Sequence, residues 1–355
     1  MAGGGTGGHV IPALAVAREL RRRGHQPFFI GTRRGIEARL VPAAGFPIEW
    51  IEIGGLKQVG GARMLRSLWQ LPGSVRLALA AIRERRPAAV FSMGGYVAGP
   101  AMAAAWLKRI PMVLMEPNAV AGMTNRWMGK LVDRALVNFE EALPQFPRGV
   151  AEVAGLPVRE EFFSIPPKPR GGGLTLLITG GSRGSRRLNQ AARESWPLFR
   201  SAGHPVTILH QSGQEDHAAL QREFASSGLA GEVAPFIDDM PAAFAQADLI
   251  VCRSGAGAVA ELAAAGKPAI LVPFPFAADQ HQLRNAEAMS RAGAARLALD
   301  RQFTGERLFR EVQTLASEAG LLERMGQAAR ALARPQAAQR AADLLEELAE
   351  RKQGH

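Results

Sequence analysis

The chain carries one pattern twice. "PAAVFSMGGYVAGPAMAAAWLKRIPMVLMEPN" (87–118) and "ADLIVCRSGAGAVAELAAAGKPAILVPFPF" (247–276) both run through an apolar stretch, a glycine turn, an Ala-rich segment, a Lys-containing exit, a proline and a second apolar stretch. An apolar run of four to seven residues bounded by Gly or Pro has the length of a strand buried on both faces, and a helix-length spacer lets the next strand lie parallel to it. "PFFIG" (27–31), "LTLLITG" (174–180) and "PVTILH" (205–210) obey the same rule. The repetition predicts an α/β chain of two Rossmann-like, doubly wound parallel-sheet domains facing across a cleft, with ligands beyond the carboxyl ends of the strands. A length of 355 residues suits two cores better than one.

The expected division is 1–157, 158–335 and a closing helix over 336–355. Leu344, Leu345 and Leu348 share one side of that helix, which is expected to return to the first domain. Pro, Gly and basic residues cluster in "SIPPKPRGGG" (164–173), where no core can be built and a break in the chain is expected. No apolar run approaches the roughly 18 residues of a membrane span. One cysteine, Cys252, excludes a disulfide framework and reads as a buried strand residue in a cytoplasmic protein. The net charge of +11 is uneven: residues 1–157 hold 20 Lys and Arg against 10 Asp and Glu, whereas residues 158–355 hold 23 against 22. That imbalance implies an anionic surface beside the first half, either nucleic acid or acidic lipid.

Within "GGGTGGH", Gly3, Gly5 and Gly8 have the spacing of a dinucleotide loop. NAD binding also wants an acid at the end of the next strand, and "FFIGTRR" offers none there, although Arg33 and Arg34 would suit a 2'-phosphate. An NADP-dependent oxidoreductase is therefore one rival reading. Whatever the ligand, N–H groups at a helix start bind phosphate oxygens, and His9 beside them is a candidate for proton transfer. "GGYVAG" supplies a second turn with Gly94 and Gly95, and Glu116 and Asn118 lie just past a strand end as a candidate base or hydroxyl clamp. In the second half, Ser182 follows a strand in "LLITGGSRGS" and suits a phosphate. The turn Ser254 to Gly257 opens a helix, with Glu261 one turn later, where a carboxylate can accept from both hydroxyls of a ribose. Asp279 and Gln282 could read sugar hydroxyls.

Taken together, "GGGTGGHVIPALAVA", "GGYVAGPA", "EPNAVAGMTNR", "GLPVR", "TGGSRGSRRLN", "HQSG" and "RSGAGAVAELAAAGKPAILVPFPFAADQHQLRNA" resemble the signature blocks of the MurG family. Those are the bacterial UDP-N-acetylglucosamine transferases of glycosyltransferase family 28, which convert lipid I to lipid II in peptidoglycan synthesis. The resemblance implies a GT-B fold, UDP-GlcNAc held mainly by the second domain, lipid I held by the first, and no cofactor or metal. Donor contacts carried over by motif are Arg159, Ser182, Ile237, Ala256, Gly257, Ala258, Val259, Ala260, Glu261 and Gln282. Thr6, Gly7, Gly8 and Asn118 are to approach the donor sugar from the first domain. Gly94, Gly95 and Tyr96 fall in the acceptor site with His9 and Glu116, the two candidates for the base. The implied reaction is one inverting displacement by the muramyl 4-hydroxyl, with His9 preferred as base.

The resemblance also gives the charge imbalance a use: docking on the anionic inner face of the plasma membrane, as a peripheral protein, through Leu65, Leu68, Trp69 and Trp106 among basic residues, with no nucleic acid partner. A cell-wall synthesis complex is a further implied partner. Other GT-B enzymes using UDP-GlcNAc, with a different lipid acceptor or as a 2-epimerase, are the nearest rivals, and a catalytically dead docking subunit is another. Leu156 stands where the family usually carries Asn, and Ala258 where it carries a hydroxyl, which touches donor affinity. Relatives also enter the first loop through an apolar strand that this sequence lacks, so the native start is expected to lie upstream.

Overall fold

The structure is a computed structural model that describes residues 1–53, 61–95, 97–168, 173–203 and 205–353, with 61–70 and 353 described as helical backbone only. It divides into two units, Met1–Val158 with Arg334–His355, and Arg159–Ala333. The first contains strands β1 (Ala2–Gly3), β2 (Phe29–Gly31), β3 (Ile48–Trp50), β4 (Val90–Gly94), β5 (Met112–Glu116), β6 (Arg134–Val137) and β7 (Ala151–Val153). Its helices are α1 (Gly7–Arg22), α2 (Glu37–Ala43), α3 (Gly61–Arg85), α4 (Ala98–Leu107) and α5 (Met123–Met128). The second unit holds β8 (Leu174–Thr179), β9 (Val206–Gln211), β10 (Ala230–Ala234), β11 (Leu249–Cys252), β12 (Ala269–Leu271) and β13 (Ala295–Leu297). Seven helices accompany them: α6 (Arg186–Ser201), α7 (His217–Ala225), α8 (Met240–Gln246), α9 (Ala256–Ala265), α10 (His281–Arg291), α11 (Gly305–Ser317) and α12 (Leu321–Ala331). A last helix, α13 (Ala337–Gln353), belongs to the first unit.

Both sheets are parallel and share one topology. The first runs β3-β2-β1-β4-β5-β6-β7 and the second β10-β9-β8-β11-β12-β13. Strand order therefore reverses between β1 and β4 in one unit and between β8 and β11 in the other. The strands at these centres, such as β4 and β11, are buried along their whole length because helices cover both faces. Leu114, Val137 and Met102 lie in the first core, and Leu176, Ile178, Leu249 and Trp196 in the second.

Two sequence expectations change here. The central strand of the first sheet is present in short form: Ala2 pairs with Ile30 on one side and Ser92 on the other, and Gly3 with Gly94. The Pro- and Gly-rich stretch does not mark the division, which falls at 158/159. Its described residues are tied into the second unit, with Lys168 paired to Asp248 at 2.7 Å and Arg330 donating to the Ile165 carbonyl at 2.9 Å.

Helix α13 packs on α1 within the first unit. Leu344 and Leu345 are buried, and Arg23 reaches Asp343 at 2.7 Å and Glu346 at 2.6 Å. The Arg22 and Arg23 guanidiniums also hold the Glu19 carboxyl down to about 2.

Candidate functional site

In an open parallel sheet the crevice for a ligand opens beyond the carboxyl ends of the two strands where the order reverses. Four glycine turns occupy those positions: the loops after β1 and β4 in the first unit, and those after β8 and β11 in the second.

The loop after β1 is built around backbone that side chains would block. A Cβ on Gly4 would lie 2.6 Å from a Glu37 carboxyl oxygen. Thr6 takes the N-cap position of α1 in extended conformation, but its hydroxyl makes no backbone capping bond and instead stands 3.2 Å from His9 Nδ1. The N–H groups of Gly7 and Gly8 are among those a helix start leaves without an intrahelical partner. His9 is half-buried, and its Nδ1 is also 3.3 Å from the Gly4 carbonyl oxygen.

The turn after β4 lies against this loop. Gly95, at φ +79°, sits so that a Cβ would touch the His9 ring at 3.4 Å. Gly94, at φ +77°, would drive a Cβ to 2.1 Å from Asn125 Oδ1, so glycine is required both by conformation and by space. Tyr96 lies outside the described residues.

Glu116, at the end of β5, is 1% exposed. Its carboxylate accepts from Asn118 N at 2.9 Å, Asn118 Nδ2 at 3.2 Å, Gly122 N at 3.0 Å and Asn125 Nδ2 at 2.8 Å. Burial raises its pKa while those donors lower it. The side chain thus closes a loop that presents half-buried Asn118, with its oxygens turned inward.

In the second unit the turn after β8 exposes Ser182 and packs by backbone against the loop after β9. A Cβ on Gly184, at φ +72°, would fall 2.0 Å from the Ser212 carbonyl oxygen. Gln211 bridges this region: its Nε2 donates to the Gly181 carbonyl at 2.9 Å and its Oε1 accepts from Ile237 N at 2.8 Å. After β11, Gly255 caps α9 with no side-chain bond, leaving the first-turn N–H groups directed outward. Ala256 and Val259 turn into the core, so only their backbone can serve a ligand, whereas Gly257, Ala258, Ala260 and Glu261 are half-buried.

Burial pushes the Glu261 carboxyl up to about 7, against the opposing charge of Arg159. Arg159 is exposed, with its guanidinium 4.9 Å from the Phe162 ring centre. The loop before α10 contains two consecutive non-glycine residues in left-handed conformation, Asp279 (φ 51°) and Gln280 (φ 53°), a strained arrangement of the kind concentrated at ligand sites. Gln282 follows, its Oε1 accepting from Phe274 N at 2.9 Å, so any outward contact falls to its Nε2.

Two side chains in this machinery have roles that the sequence reading does not assign, one of them inside the "HQSG" block. Glu37, fully buried, lies beyond the strand end where no acid was found, and serves the first loop: it accepts from Gly5 N at 2.8 Å, Thr32 N at 3.0 Å and Thr32 Oγ1 at 2.8 Å. The other is Gln211. Glu37 lies at the start of α2, one short loop beyond the strand end searched for it, and only the chain's return to β1 reveals its role. Cys252 is buried, with its thiol pushed up to about 12 by burial.

Of the surface residues, Trp106 is 52% exposed. The side chains of Leu65, Leu68 and Trp69 lie outside the described residues. The sequence reading passed over α5 and its exit, where Met123, Trp127 (71%) and Leu131 are exposed beside Arg126 and Lys130. No described helix is long and apolar enough to cross a membrane.

Residues 1–137 match the glycosyltransferase family 28 N-terminal domain and residues 175–347 the glycosyltransferase family 28 C-terminal domain. A protein of Solibacter usitatus named UDP-N-acetylglucosamine–N-acetylmuramyl-(pentapeptide) pyrophosphoryl-undecaprenol N-acetylglucosamine transferase is 62% identical over 349 residues, 98% of this chain and 95% of that one. A protein of the same name from Halorhodospira halophila is 45% identical, with 98% of each chain covered. Among solved structures, Acinetobacter baumannii MurG superposes with a TM-score of 0.82 at 35% identity, covering 97% of both chains.

Proposed function

The chain belongs to glycosyltransferase family 28, with the GT-B fold, and from that premise we propose that it transfers GlcNAc from UDP-GlcNAc to the 4-hydroxyl of MurNAc in lipid I, giving lipid II. The observation that carries this reading is the 62% identity, over 98% of the chain, with a transferase named for that acceptor. The 2-epimerase and other-acceptor alternatives are not favoured.

The roles proposed for the residues combine the family's motifs with the geometry described above. UDP-GlcNAc lies against the second unit, its diphosphate at the start of α9 and at Ser182, its uracil at Ile237 and its ribose hydroxyls on Glu261. Gln282 and Asp279 face the sugar, and Arg159 adds positive charge near Glu261. Helix-start N–H groups hold the charge that develops as UDP departs. Lipid I lies against the first unit, at Gly7, Gly8, Gly94 and Gly95, with Asn118 toward the sugar. The acceptor oxygen forms its bond to the anomeric carbon as the bond to the diphosphate oxygen breaks, inverting that centre; UDP leaves with the electron pair. The hydroxyl proton passes to His9 Nε2. Glu116, with both oxygens engaged by its own loop, holds that loop in place and does not take the proton.

The protein works at the cytoplasmic face of the plasma membrane, docked on acidic headgroups. The excess of positive charge in residues 1–157 and the exposed Trp106 and Trp127 support this, since each Lys or Arg near such a surface contributes about 1 kcal/mol. The test is transfer of labelled GlcNAc to a lipid I analogue carried in vesicles. Faster transfer in acidic than in neutral vesicles, reduced by a Trp106→Ser/Trp127→Ser double variant, is expected. Bound UDP-GlcNAc without transfer would overturn the acceptor assignment, and equal rates in both vesicles would overturn the docking.

A further inference from the structure

We propose that Glu37 is a positioning residue that acts on His9 through the peptide bond between Gly4 and Gly5, fixing the imidazole with its proton on Nδ1 and its lone pair on Nε2. The inference rests on His9 being the base.

One peptide unit supplies both halves of the link. Its N–H, from Gly5, donates to Glu37 Oε2 at 2.8 Å. Its carbonyl, from Gly4, lies 3.3 Å from His9 Nδ1. A carbonyl oxygen cannot donate, so this contact is a hydrogen bond only when Nδ1 carries the proton. The neutral ring then offers Nε2 as its basic atom. Thr6 Oγ1, 3.2 Å from the same nitrogen, can accept from it as well, since a hydroxyl serves either way.

The carboxylate is well fixed. Thr32 donates to its other oxygen from both backbone and hydroxyl, at 3.0 and 2.8 Å, which leaves Oε2 for the loop. All three contacts are donations to the carboxyl, and both of its oxygens are engaged as acceptors. A negative charge on the N–H side of a peptide draws electron density toward its carbonyl oxygen, and hydrogen bonds in such a chain strengthen one another by about 10–30% each. The Gly4 oxygen therefore becomes a better acceptor as the ring takes a proton and turns cationic. In serine hydrolases a carboxylate orients the histidine by direct contact; here one peptide unit stands between the two. Glycine suits the junction, because a Cβ on Gly4 would overlap the carboxylate, while a Cβ on Gly95 would come only to 3.4 Å from the ring.

The experiment combines kinetics with nitrogen spectroscopy of ¹⁵N-histidine-labelled full-length protein, the His9 signal identified by its loss in His9→Gln. In the unsubstituted protein the neutral His9 ring should show the Nδ1–H form. Glu37→Gln keeps the size and removes the charge: kcat should fall about 10- to 100-fold, as for other outer partners of a working histidine. The UDP-GlcNAc KM should stay within a few-fold, and His9 should shift toward a mixture of tautomers. Should Glu37→Gln fail to fold, Thr32→Val, which removes one anchor of the carboxylate, should move the same signals less far. An Nε2–H form in the unsubstituted protein, or an unchanged kcat and spectrum in both variants, overturns the proposal. If the tautomer shifts but neither Glu37→Gln nor His9→Gln slows transfer, the link exists and His9 is not the base.

Discussion

The two units present the same strand order and the same pair of glycine turns, yet brace them with different chemistry. Behind the turns of the first unit stand buried carboxylates, Glu37 under Gly5 and Glu116 under Asn118 and Gly122. Behind those of the second stand an amide, backbone and a cation: Gln211 joins Gly181 to Ile237, Gly184 rests on Ser212, and Arg253, paired with Asp300 at 2.8 Å, donates to Ser185 Oγ at 2.8 Å. A carboxylate only accepts, so it consumes N–H groups and brings negative charge; an amide satisfies a carbonyl and an N–H at once and stays neutral. The second unit thus keeps the positive ends of α6 and α9 available to a diphosphate. The first spends part of its loop N–H capacity on rigidity and on the setting of one histidine. One topology has become a holder of charge on one side and a holder of geometry on the other.

If the division is right, damage on either side should register in different constants. The largest effect is expected at His9. His9→Ala should lower kcat about 10²- to 10⁴-fold, the usual worth of general base assistance, with the UDP-GlcNAc KM little changed; steady-state transfer at saturating acceptor measures both. A loss confined to KM would place His9 with the donor and blur the comparison.

Next comes Gly184→Ala. Its Cβ would overlap the Ser212 carbonyl in a left-handed conformation, so the turn must move, and UDP affinity by calorimetry should weaken at least about tenfold, or roughly 1.4 kcal/mol. Unchanged UDP binding would show that the turn after β8 holds no phosphate.

The smallest effect is the pH response of Glu261. Its folded-state pKa of about 7 exceeds the ordinary 4.5, so between those values the free protein holds a proton that the unfolded chain has lost. The contribution of this group to stability is then present at low pH and lost as pH climbs from 4.5 to about 7. Ribose hydroxyls donate best to the ionised form, so UDP affinity should tighten several-fold as pH rises through 7 and level off above it. Glu261→Gln should flatten that response, and a wild-type profile without it would remove Glu261 from the ribose.

How much of this is written openly in the sequence depends on burial. β4, β5, β8, β9, β11 and β12 sit toward the sheet centres, so they read as largely apolar runs. β3, β7 and β10 lie at sheet edges, where "IEW", "AEV" and "AGEVA" mix charge and small residues because one side meets water. β13 and β6 carry an arginine, and β1 is too short to form any pattern. The site divides the same way. Glycine turns announce themselves because their constraint is local, in φ and in space. Glu37 does not, since a helix and a strand separate it from the loop it braces, and Gln211, though inside "HQSG", finds its two partners in loops on either side of it only through the fold. Glu116 was visible as an acid at a strand end, but its inward turn is a matter of four donors gathered by folding.

The clasp between α1 and α13 bears on how the molecule is made. Arg23 pairs with Asp343 and Glu346, 320 and 323 residues further along, and the intervening chain includes a complete second sheet. Domains generally mature as units during synthesis, amino-terminal first. Here the order is reversed in effect: the second unit can be finished while the segment before it waits, its buried seam uncovered, for α13 to emerge. Translation that stops short of α13 would leave the first unit unsealed while the second is whole.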